Sequence, residues 1–225
     1  MRVAWLSLLL MVFGSGCASV GLFQSPETLG RKNWELAAEL TSQAQANLAP
    51  PDALSVYPMG AVAFRYGLVD RVDLGVKYGP GGFELGTKVM LTGREGVVVS
   101  IAPSVAGTLW VPSGLLVGTA QVSVPVFIGV PLSQRVQLVF APRVHDSVYG
   151  LNAGQAGGTL NMLMLGGAVG VVVRLGRFKI IPDVGVLGPP LATTTWRSDL
   201  PTGTVWGQGK WTFQFNVTLT LGKAT

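Results

Sequence analysis

The chain has 225 residues, room for one substantial domain, and a formal net charge of +5. Only 12% of its residues are charged, about half the share of ordinary soluble domains, and the mean hydropathy is +0.47. The Lys and Arg residues are scattered singly, which argues against a nucleic-acid binder. No internal run reaches the roughly 20 apolar residues of a membrane-crossing helix, so the apolar residues belong to a large core or to many short strands.

The first element is a targeting segment. Met1-Arg2 precedes an apolar run from Val3 to Phe13, too short to span a bilayer and suited to a secretory signal. Gly14-Ser15-Gly16-Cys17 follows and resembles the lipobox of bacterial lipoproteins, with Gly14 where that family usually has an apolar residue. The resemblance implies that Cys17 becomes the lipid-modified first residue of the mature chain. The alternative is an ordinary signal ending near Ala18, with Cys17 a bystander. Cys17 is the only cysteine, so no intramolecular disulfide exists. Residues 1–16 are thus expected as signal peptide, 17–32 as a lipidated polar tether, and 33–225 as one folded domain.

From Asn33 the chain alternates bulky apolar and polar or small residues, the period of a two-faced β-strand. Ten such stretches follow: 33–45, 57–68, 71–79, 82–92, 96–107, 115–130, 135–146, 159–175, 177–187 and 209–221. In the first, Trp34, Leu36 and Leu40 oppose Glu35, Glu39 and Thr41; in the last, Phe213, Phe215, Val217 and Leu219 oppose Gln214, Asn216, Thr218 and Thr220. Charges inside the stretches avoid the bulky parity. Hydrocarbon is a sufficient cause, because a charge at the midplane costs roughly 2–4 kcal/mol on a barrel's lipid face. The connections alternate as well. Those around Asp70, Arg94, Gln134 and Gly176 are short, whereas 46–56, 108–114, 147–158 and 188–208 are long; only 79–82 breaks the trend.

On these stretches and on Tyr66-Gly67-Leu68-Val69-Asp70-Arg71-Val72-Asp73-Leu74-Gly75, a hairpin turn common in that group, the chain resembles the small bacterial outer-membrane β-barrel proteins. The resemblance implies an all-β, antiparallel up-and-down transmembrane barrel of about ten strands in the outer membrane of a diderm bacterium. It further implies a periplasmic N-terminus, extracellular long loops, and contact with outer-membrane lipid, lipopolysaccharide and the barrel insertion machinery. The C-terminus departs from the group by ending in Lys223-Ala224-Thr225 instead of an aromatic residue.

Alternation alone leaves open a soluble barrel with its apolar face inward, as in lipocalins. The polar face is rich in Gly, Ala, Ser, Thr and Gln and sparing in charge, which suits a crowded lumen better than a watered surface. No phosphate loop, metal-ligand spacing or nucleophile motif is present, and no cofactor is expected. Gly150 to Gly158 reads as a flexible outer loop, and Trp110, Trp196 and Trp206 fall in the long loops. His145-Asp146 is the one place a rim hydrolase could reside, as imidazole beside carboxylate. The expected lumen network comprises Glu35, Glu39, Arg65, Asp73, Lys77, Glu84, Lys88, Arg143, His145, Arg174, Lys179 and Asp183. Opposite charges there would pair and fill a narrow bore. The functional expectation is a plugged envelope protein with a structural or loop-presenting role. A narrow pore, a periplasmic binder of apolar ligands and a hydrolase are the alternatives.

Overall fold

The computed structural model describes residues 24–46, 55–79, 82–110, 116–153, 156–188, 191–196, 203–206 and 211–222. The expected signal segment and Cys17 lie outside them. The first four strands are β1 (Trp34–Ala46), β2 (Ser55–Val69), β3 (Val72–Gly79) and β4 (Gly82–Met90). Next come β5 (Val98–Ile101), β6 (Ser104–Trp110), β7 (Leu116–Pro131), β8 (Val136–Ala153) and β9 (Ala156–Leu175). The chain ends with β10 (Phe178–Leu187), β11 (Leu191–Trp196), β12 (Gly203–Trp206) and β13 (Trp211–Gly222).

All pairings are antiparallel, and β10 pairs with both β9 and β13 while β13 pairs with β1, so the sheet closes on itself. β5 and β6 share one position in the wall, because both lie between β4 and β7. The result is a ten-stranded barrel without an open edge around its wall. The fifth position is split at Ala102-Pro103, since proline has no N–H for the ladder. The rungs are remade around two prolines: Thr87 N donates to Pro103 O and Ala102 N to Pro125 O, each at 3.0 Å.

Each expected stretch corresponds to one wall position, but the long-loop end differs from expectation. β8 and β9 stay paired from Val136↔Val173 up to Ala153↔Ala156, so Gly150 to Gly158 is mostly ladder and not a flexible loop. Glycine weakens a strand without forbidding it, and register with a long partner holds this one. In 188–208, β11 pairs with β9 past the end of β10, and β12 pairs with β11. Trp110, Trp196 and Trp206 accordingly end β6, β11 and β12.

The faces follow the alternation. Bulky residues point out on every strand of the wall, with Leu40 70% and Leu165 63% exposed. Inward positions are closed to solvent, as at Asp73, 1% exposed, and Asn216, 2%. This orientation overturns the inward-apolar alternative of a soluble ligand-binding barrel. The inward face also holds an apolar patch absent from the sequence reading: Ala102, Phe127, Val139, Ala141, Val172 and Ile181 pack together on the β5–β10 side.

Candidate functional site: a plugged and charge-balanced lumen

The ionic part of the lumen is built on β1, β2, β3, β4, β8, β9 and β10, and β13 adds polar side chains such as Gln214, Asn216 and Thr220. Arg65 stands across the ladder from Glu35 and donates to it at 3.0 Å, and it also pairs with Asp73. Lys179 reaches Glu35 from the other side at 2.7 Å, and Thr220 Oγ1 donates to the same carboxylate at 3.3 Å. Lys77 pairs with Glu39 at 3.0 Å, and Thr41 Oγ1 donates to Glu39 at 2.7 Å. Glu84 is opposite Lys77 in the β3–β4 ladder. Lys88 is 2% exposed and lies 5.3 Å from the Phe127 ring centroid, a cation–π contact joining the ionic and apolar sides. Buried ions survive only when paired and hydrogen-bonded, so this is one interdependent network.

The stretch expected as the tail of a polar tether completes it. Gln24 to Lys32 lies across the short-turn mouth of the barrel as a plug. Lys88 Nζ donates to Ser25 O at 2.5 Å, and Lys179 Nζ to Ser25 Oγ at 3.3 Å. Arg174 donates to Glu27 at 2.5 Å and to Gln137 at 2.9 Å. Both carboxylate oxygens of Asp73 accept from Leu29 N, at 3.0 and 3.1 Å. Thr28 Oγ1 donates to Asp70 O at 2.6 Å, and Arg94 to Thr28 O at 3.2 Å. The plug then turns a corner into β1 at Gly30 (φ 79°) and Lys32 (φ 61°). Lys32 N donates to Gly67 O at 2.8 Å, and Gly67 N to Asn33 O at 2.9 Å.

Two glycines make room for the plug. A Cβ on Gly67 would collide with the carbonyl of Gly30, and one on Gly129 would collide with the Pro26 ring. The segment escaped sequence reading because it has no periodicity; the mates of Ser25, Glu27 and Leu29 are supplied by strands 44 to 154 residues away. With Glu27 included, the described lumen holds six cationic and six acidic side chains, so its charge balances. Between the plug and the ionic strands remains a cavity of about 60 Å³, lined by Glu35, Glu39, Lys77, Glu84 and Phe127 among others.

The upper lumen is different. Arg143 donates to Gln214 at 2.8 Å and Asn216 to Asp183 at 2.6 Å. Around them Thr119, Ser123 and both ring nitrogens of His145 have no protein hydrogen-bond partner. His145 is 2% exposed inside the barrel, opposite Ser123 in the ladder, whereas Asp146 has the outward parity. Successive strand residues face opposite sides, so adjacency in sequence does not put this carboxylate on this imidazole. Among the described residues no group of His, Cys, Asp and Glu is arranged to hold a metal ion.

No protein-family model matches the sequence, and no curated protein matches it. Solved structures are similar in fold. The attachment invasion locus protein Ail of Yersinia pestis has TM-score 0.45 and 8% identity, covering 85% of this chain and 99% of that one. Neisserial surface protein A has TM-score 0.44 and 7% identity over 84% and 96%. The outer membrane protease OmpT of Escherichia coli has TM-score 0.39 and 11% identity over 91% and 98%.

Proposed function

We propose that this chain is an outer-membrane lipoprotein whose barrel is a sealed anchor, serving the envelope structurally or by presenting its long-loop end outside. Two features support the membrane setting: an apolar face on every wall strand, and tight connections at 70–71, 132–135 and 176–177 opposite the long β10–β13 connection. The short-turn end, with the N-terminus, would face the periplasm. Contact with outer-membrane lipid and lipopolysaccharide, and delivery by the barrel insertion machinery, belong to the same reading. Gln24 lies seven positions after Cys17, a reach of about 25 Å when extended. A lipid on Cys17 could therefore sit in the leaflet beside the plugged mouth.

The observation that carries the sealed role is the plug itself, tied to β2, β3, β4, β9 and β10 and supplying the acid that balances the lumen. We assign no enzymatic activity. In planar bilayers the full chain should be silent, and a variant lacking residues 24–32 should conduct in reproducible steps. Steps from the full chain would replace the sealed reading with that of a narrow pore. Silence from the deletion variant would move the seal from the plug to the lumen side chains.

A further inference from the structure

We infer that the short-turn rim is a docking ring for the headgroups of anionic phospholipid in the adjoining leaflet. This rests on the membrane reading above. Each of the four connections at that end carries one exposed arginine: Arg71 between β2 and β3, Arg94 between β4 and β5, Arg135 between β7 and β8, and Arg177 between β9 and β10. Arg31 and Lys32, at the corner into β1, are exposed too. Against these six stand two acids among the described rim residues, Asp70 and Glu95, and the Asp70 carboxylate already accepts from Arg31 N at 3.2 Å. The rim has a surplus of four positive charges while the lumen is balanced, so the excess charge of the described chain is concentrated at one end of the barrel.

The placement selects the ligand. An exposed leucine also lies in or next to every connection, at the edge of the apolar belt: Leu68, Leu91, Leu132 and Leu175 in chain order. A guanidinium rooted beside such a residue lies at headgroup depth, where its planar fork can grip a phosphate with two N–H bonds. The arginines belong to four separate hairpins around the circumference instead of one flank. An annulus of separate headgroups fits that distribution, and a single polyanion docking from one side does not. Arg94 has a second duty, holding Thr28 O, so it is left intact in the test.

The test uses the purified full chain in phosphatidylcholine vesicles containing either brominated phosphatidylcholine or brominated phosphatidylglycerol. Trp34, outward and 42% exposed at the short-turn end, is the reporter, isolated as the emission lost in Trp34→Phe. At low salt brominated phosphatidylglycerol should quench it with about fivefold higher relative affinity, the scale expected for one basic residue near each lipid site. The preference should shrink towards one in 0.5 M salt and in the triple variant R71Q/R135Q/R177Q, checked as folded by heat-modifiable gel mobility. Equal quenching by both lipids at low salt, or a preference the triple variant keeps, would overturn the ring alone. No quenching by either lipid would overturn the membrane reading together with it.

Discussion

The two halves of the lumen solve the problem of buried polarity in opposite ways. Near the short turns, Glu27, Glu35, Arg65, Asp73, Lys88, Arg174 and Lys179 are each held by a named protein partner, several of them by two. Towards the long-loop end, Thr119, Ser123 and His145 are buried but have no such partner. The first half is a lock in which each ion needs its neighbours. The second is a polar lining in which Arg143 pairs with Gln214 and Asn216 with Asp183, while Thr119, Ser123 and His145 have no protein hydrogen bond. Burial alone therefore does not set energetic weight.

The largest effect should come from opening the lock. Arg65→Ala removes the cation shared by two buried carboxylates, leaving Glu35 with Lys179 and Asp73 with the Leu29 N–H, and should cost about 3–5 kcal/mol. The urea midpoint of the heat-modifiable folded form reads this directly, and a loss under about 1 kcal/mol would make the network no more than surface-like pairing. A smaller effect is expected where the plug meets the wall. Gly67→Ala and Gly129→Ala each put a methyl group where the plug lies, an overpacking of about 1–3 kcal/mol. Either change should leave the barrel folded, expose residues 24–32 to added protease and produce channel steps; resistance to protease equal to that of the parent chain would show the plug is seated otherwise. The smallest change belongs to the upper half. His145→Leu removes a ring with no protein hydrogen bond and should alter stability by less than about 1 kcal/mol in either direction. A loss above 2 kcal/mol would erase the contrast between the halves.

The wall was legible because alternation is a local signal, and each stretch shows it without reference to any other. Trp34 to Thr41 and Phe213 to Thr220 display both faces in a single pass. Legibility failed wherever both faces turn apolar. Val124 to Ile128, Val171 to Val173 and Ile180-Ile181 are near-continuous apolar runs, so the inward turn of Phe127, Val172 and Ile181 is masked by outward neighbours. The ionic residues were identifiable as a set, but their pairing was not. Lys179 meets Glu35 only because β13 brings β10 and β1 to its two sides. The plug was invisible for the same reason: Ser25, Glu27 and Leu29 read as tether until distant strands supply their partners. His145-Asp146 misled in the other direction, since a dipeptide in an extended strand divides its side chains between two faces.

The seam of the cylinder joins β1 to β13, twelve residue pairs between the first and last strands of the domain. Contacts so far apart along the chain are slow to form, because the whole intervening length must be ordered first. The plug runs directly into β1 and is already bonded to β2 at Gly67, so it travels with the opening hairpin. During biogenesis the stopper would thus be carried on the concave side of an unfinished sheet, and zipping the seam would enclose it. A barrel made in this order is never an open hole in the membrane, even for the moment in which it becomes a barrel.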